Sequence, residues 1–358
     1  MKIGTTVYIS TVILSLAVVL MPAPLLARDK TDVLVMKNGD RLTGEVKGLD
    51  GGVLYVNMDY ILGTSSVDWS KVARLESKQM FLVRTEDGTV YKGALNTAEA
   101  QGGRPVKIQV VDALEKEVVI DRSQIVQMAE TSDKFWQRFN GEVNLGTIYS
   151  KGNQSTQYNL SSQTEYLRER WSASASLSST LSSSTGASAS TRNDLTLSAL
   201  HLLPWKNYFY SGLADFLQSS PQGIQLQTSV GGGIGRYLKN TNRARIFVLG
   251  GLAWQHTGYQ EAVYAAGTQN LGAALIAGGI KLFRFNKTNL DITATLFPVL
   301  TEPGRVKFNT NTSYYIKITS DLSWNISFYG NWDNQPPPHF SGSDYGSSSG
   351  LSWTFGMR

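Results

Sequence analysis

The chain has 358 residues, 41% of them hydrophobic and 17% charged, with a formal net charge of +5 and no cysteine. Its length allows two or three domains, and the lack of cysteine excludes disulfides and thiolate metal sites. No internal apolar run reaches the roughly eighteen residues of a membrane helix, and the small, unclustered positive excess gives no reason to expect nucleic acid as a partner.

Residues 1–27 read as an export signal. Lys2 supplies the positive start, and Val7–Leu20 is an apolar stretch broken only by Tyr8, Ser10, Thr11 and Ser15. Ala27 suits the position before the cut, and the run is short for a membrane anchor. An exported chain argues against an intracellular enzyme or an RNA-binding role.

Residues 28–78 and 79–132 form two similar units, expected as small periplasmic β-domains. Val33–Val46 and Phe81–Leu95 align, with Gly39 matching Gly88 and Gly44 matching Gly93. Asn38-Gly39 and Asp87-Gly88 are hairpin signals, because both dipeptides tolerate positive φ. Each unit then offers a second strand pair and closes on a related segment, Trp69–Val72 in the first and Asp121–Ile125 in the second. The repeat points to a duplicated SH3-like or Sm-like small barrel. Tyr55, Tyr60, Trp69 and Tyr91 are expected mainly to fill these two small cores. A periplasmic protein or cell-wall partner would have no motif behind it.

From about residue 135 to 358 the pattern changes to long strands of period two. Gly141–Ile148 sets Val143 and Leu145 against Glu142 and Asn144. Thr156–Leu167 sets Tyr158, Leu160 and Tyr166 against Gln157, Asn159, Gln163 and Glu165. Trp171–Leu181, Asp194–Leu203, Tyr208–Gln218, Leu226–Leu238, Ala244–Gln255, Leu271–Phe283, Leu290–Phe297, Val306–Ile318, Leu322–Trp332 and Tyr345–Arg358 complete a set of twelve. Short turns alternate with longer loops. An even number of strands of about ten residues, polar on one face and apolar on the other, predicts an all-β, antiparallel transmembrane barrel with its short turns in the periplasm. A soluble β-sandwich would want a strongly apolar inner face, whereas one face here is Ser, Asn, Gln and Thr throughout. Trp171, Tyr166, Tyr208, Tyr210, Trp254, Tyr329, Trp332 and Trp353 are expected in the two interfacial girdles. The last strand must pair with the first to leave no open edge.

The Ser150-Lys151-Gly152-Asn153 loop, the segment Gly231-Gly232-Gly233-Ile234-Gly235-Arg236-Tyr237-Leu238 and the closing strand, in that order, carry a resemblance. The region 135–358 resembles the outer-membrane barrel family catalogued as domain of unknown function 481 (DUF481), some of whose members are labelled salt-induced outer membrane proteins. Tandem β-units ahead of the barrel are also seen in that family. The resemblance implies a Gram-negative outer-membrane location and a porin-like architecture, and no assigned activity. The ending Phe355-Gly356-Met357-Arg358 departs from the aromatic finish usual for such barrels.

The residues expected to line the lumen are Glu142, Asn144, Gln163, Glu165, Asp215, Arg245, Asp291, Lys307, Asn309 and Lys317. A twelve-stranded barrel is wider than the eight-stranded kind that its own side chains fill, so a narrow passive path for small polar solutes is feasible. The alternative is a plugged lumen in a structural, anchoring or stress-responsive envelope protein. An outer-membrane lipid hydrolase would need a Ser nucleophile beside a His base. The three histidines, His201 on a strand and His256 and His339 in expected outer loops, offer no such constellation and no metal site, so neither catalysis nor a cofactor is expected. The expected partners are outer-membrane lipids and, during biogenesis, the barrel assembly machinery.

Overall fold

Alternating side chains on β-branched and aromatic-rich segments commit this chain to strands almost throughout. The computed structural model describes residues 31–97, 106–111, 114, 116–130, 139–150, 155–184, 189–260, 267–284, 288–319, 322–336 and 341–355. The expected export signal, the Lys151-Gly152-Asn153 part of the first loop, His339 and the terminal Gly356-Met357-Arg358 lie outside the described residues.

The N-terminal region holds β1 (Asp32–Met36), β2 (Arg41–Asp50), β3 (Val53–Asn57), β4 (Thr64–Asp68), β5 (Val72–Thr85), β6 (Val90–Thr97), β7 (Lys107–Val111), β8 (Glu117–Asp121) and β9 (Ile125–Glu130). The repeat is visible in detail. A 3-10 turn, Trp69–Lys71, precedes β5, and its counterpart, Arg122–Gln124, precedes β9. Gly39 and Gly88 turn the matching hairpins at φ 93° and 85°. The two repeats do not stand apart, however. Strand β5 runs unbroken through residues 78 and 79, and β9 pairs with both β2 and β5. One core joins them, with Leu49, Leu75, Phe81, Ile108, Ile125 and Met128 fully buried. Trp69 is 2% exposed and donates its Nε1–H to the Arg122 carbonyl at 3.0 Å, stitching one repeat to the other. Two very small cores would each bury little; fusing them raises the buried fraction. Tyr55 is buried outside this cluster, Tyr91 packs against its edge, and Tyr60 is exposed.

The barrel follows as β10 (Phe139–Ser150), β11 (Ser155–Leu167), β12 (Trp171–Ser183), β13 (Ser190–Leu202), β14 (Tyr208–Ser219), β15 (Ile224–Asn240), β16 (Ala244–Tyr259), β17 (Thr268–Phe283), β18 (Thr288–Pro298), β19 (Val306–Lys317), β20 (Leu322–Asp333) and β21 (Ser343–Phe355). These twelve strands close into an antiparallel ring in sequence order. The seam between first and last strand runs from Gly141 opposite Phe355 to Leu145 opposite Leu351, five registered pairs among the described residues, against twelve between β10 and β11.

The outer wall is apolar and bare. Leu145, Leu252, Ile276, Leu351 and Trp353 are all at least half exposed. In a ring this long, such a surface is a lipid-facing band. Trp171, Tyr210, Trp254, Trp332 and Trp353 join it as expected for girdles. Tyr329 does not. Its neighbour Phe328 points outward, so the period of two turns Tyr329 into the lumen. His256 is also corrected: β16 continues to Tyr259, and His256 stands on its outer face, stacked on Trp254 with ring centroids 6.0 Å apart and bonded to Asn270.

Candidate functional site: the barrel lumen and its inner mouth

Inward parity collects mostly polar side chains inside the ring, interrupted by Leu213 on β14, Phe247 on β16 and Phe297 on β18. Glu142, Asn144, Gln163, Asp215, Asp291, Lys307 and Asn309 line a cavity of about 690 Å³. Glu165 and Arg245 sit below that cavity at the short-turn end, and Lys317 keeps the inward parity of Lys307 but lies at the opposite, short-turn end of β19. The lumen is therefore a polar chamber with charges of both signs. The expected residues fall into two groups, one in the chamber and one at the mouth.

Several side chains cross the lumen. Arg192 on β13 reaches Asp344 on β21, donating Nη1–H to Oδ2 at 2.7 Å, and its guanidinium lies 4.8 Å from the Tyr329 ring centroid on β20. These strands are four and five places apart round the ring, so the contacts span the bore. Lower down, the Tyr315 hydroxyl on β19 donates to Glu142 on β10 at 2.8 Å. Lys307 on β19 donates to Gln255 on β16. At the long-loop rim, the buried Arg305 is clamped between Glu302 at 2.7 Å and Asp333 at 2.6 Å. Asp215 accepts from Thr196 at 2.9 Å, and Arg192 also lies 3.5 Å from Asp194.

Sequence reasoning missed Arg192, Asp344, Tyr329 and Lys281. The Lys281–Asp291 pair, at 2.8 Å, had a signal, because the β17–β18 register sets these two residues directly opposite each other. Arg192 lay in a stretch read as loop, which hid its parity.

The N-terminal unit sits against the short-turn end. Asn207 in the β13–β14 turn donates its Nδ2–H to the Glu86 carbonyl at 2.7 Å. Asn242 in the β15–β16 turn donates in the same way to the Ile125 carbonyl at 2.7 Å. Asp50 accepts from Arg245 at 2.6 Å, and Lys92 lies 3.5 Å from Glu169 in the β11–β12 turn. Asn207 holds its position with φ 62°, the one left-handed non-glycine among the described residues. Gly51 packs on the Phe283 ring so closely that an added Cβ would lie 2.8 Å from ring atoms. Arg84 lies on β5 of the unit. Burial holds its guanidinium below its ordinary value, and Tyr237, Glu165 and Asp50 oppose that shift.

The family model described as "Protein of unknown function, DUF481" matches residues 143–355. A search of curated proteins finds no match. Among solved structures, the chain is similar to the translocator domain of the autotransporter NalP from Neisseria meningitidis, with 15% identity over 61% of this chain and 87% of that chain and a TM-score of 0.32. It is similar to the COG4313 outer membrane channel from Pseudomonas putida F1, with 9% identity over 61% of this chain and 93% of that chain and a TM-score of 0.33. It is similar also to the outer membrane protease OmpT from Escherichia coli, with 11% identity over 61% of this chain and 96% of that chain and a TM-score of 0.23. These likenesses are of architecture alone.

Proposed function

We propose that this chain, which belongs to the family described as "Protein of unknown function, DUF481", is an outer-membrane barrel that passes small polar solutes through a narrow lumen. The observation that carries the reading is the polar chamber of about 690 Å³ inside a closed ring whose outer wall is apolar. Water solvates such a wall, and charges of both signs let a small zwitterion or neutral polar solute exchange hydration for side-chain contacts. Nothing in this role calls for a catalytic step. The short turns face the periplasm on this reading, as is usual for such barrels, and the N-terminal unit docked on them is periplasmic. Membrane lipid meets the outer band, and the first partner of the N-terminal unit is the barrel of its own chain.

Recording from the purified full-length protein in planar lipid bilayers tests the proposal. Discrete conductance steps are expected. Asp344→Asn removes an ion pair that spans the bore and is expected to enlarge each step. A second reading, a closed barrel with a structural role, is favoured by the Arg192–Asp344 crossing itself. Silence in both the native protein and Asp344→Asn would favour that reading, and silence also of Asp50→Arg, which loosens the contact at the inner mouth, would end the first.

A further inference from the structure

The contacts between the N-terminal unit and the barrel are spread round the rim. They fall on the turn after β11 at Glu169, the turn after β13 at Asn207, the turn after β15 at Asn242 and the end of β17 at Phe283. Seven of twelve consecutive strands thus have a foothold beneath the unit. A domain merely tethered beside the barrel would touch one or two neighbouring turns.

Charges of the unit meet charges of the mouth. Arg84 is electrostatically coupled to Glu165 on β11 and to Arg245 on β16, and these strands are five places apart in a ring of twelve. Asp50 reaches Arg245, an inward-facing residue of the same mouth, at 2.6 Å. The acidic turn Glu86-Asp87 faces basic rim residues, Lys239 acting on Glu86 and Lys206 on Asp87. The interface is complementary in charge as well as in shape.

The same interface is built to separate. Among the described residues it includes side-chain bonds to backbone carbonyls, two ion pairs, and glycines packed on Phe283, Asn242 and Asn207. The buried cluster of the N-terminal unit contains residues of that unit alone. Lifting the unit away therefore leaves that cluster intact, as in mobile domain pairs. We propose that the N-terminal unit is the gate of this barrel: docked, as here, it closes the inner mouth, and passage requires it to swing off the rim. The proposal rests on the conduit reading above.

A reversible lock tests it, because the chain has no cysteine of its own. A Cβ built at Gly51 lies 3.2 Å from the Phe283 Cβ, close to the ~3.5–4.5 Å of disulfides. Gly51 has φ 56°, a left-handed conformation that strains a cysteine, and the stabilisation a disulfide brings exceeds that strain, so the full-length Gly51→Cys/Phe283→Cys variant can take the bridge. Folding of each variant is read from its heat-modifiable migration on gels. In planar bilayers, oxidation is expected to lower the open probability by about tenfold or more, with recovery on reduction. Asp50→Arg sets like charge against Arg245 and is expected to raise the open probability several-fold without any lock. Failure of the bridge to form in a folded barrel overturns the docking. Equal conductance in the oxidised and reduced forms, with Asp50→Arg like the native protein, overturns the gate and leaves the conduit. Silence of every form, Asp50→Arg included, overturns the conduit and the gate with it.

Discussion

Leu145 and Asn144 are neighbours in sequence and face different media. Leu145 is 63% exposed on the outer wall near the middle of β10, and Asn144 lines the chamber. Arg in place of Leu145 sets a guanidinium in hydrocarbon and is expected to cost ~2–4 kcal/mol, whereas Asn144→Arg meets water and polar walls and is mild. Reversible unfolding in lipid vesicles measures the difference, and a larger cost at Asn144 would mean that the faces are exchanged. Parity of this kind was legible from the sequence, which is why Glu142, Asn144, Gln163, Asp215 and Asn309 were identifiable before any coordinates. Tyr329 was legible too, had its parity been weighed above its place near a strand end. Arg192 was not, because a run of Ser, Thr and Gly before it looks like loop in isolation. Only pairing with β12 and β14 makes it strand.

Strands β15 and β16 form the longest hairpin of the ring, and glycine permits its closeness. A Cβ at Gly233 would collide with the Gly250 carbonyl across the pair, whereas one at Gly250 meets nothing within 4 Å. Gly233→Val is therefore expected to cost ~1–3 kcal/mol through forced separation of the two strands, with Gly250→Ala close to neutral. Urea midpoints of the two variants in detergent or lipid check this. The sequence announced a glycine-rich strand here but not which glycines are obligatory, since that depends on which carbonyl lies opposite. Strand ends were harder still. His256 was expected in a loop because polar residues follow it, yet the ladder with β15 and β17 carries β16 on to Tyr259.

At the scale of the molecule, the twofold repeat was plain from matched glycines and turns, and the fusion of its halves was not. Fusion depends on β5 serving both repeats and on β9 returning to β2, contacts between residues far apart in the chain. Phe81, 0% exposed in the shared core, tests the coupling. Phe81→Ala is expected to cost ~3–5 kcal/mol and to raise amide exchange in β1–β4 and β6–β9 together. Loosening confined to β6–β9 would show two independent halves. Docking on the barrel was equally hidden, because the Glu86–Asn207 bond joins turns 121 residues apart and no periodicity records such a meeting.

The line where β10 meets β21 carries one further implication. A cylinder held by hydrogen-bond ladders splits along its least-stitched join, and with five pairs this join is the thinnest in the wall among the described residues. Heat or force would unzip it there first, turning the hoop into a curled ribbon with two raw borders, each ready to accept a foreign strand.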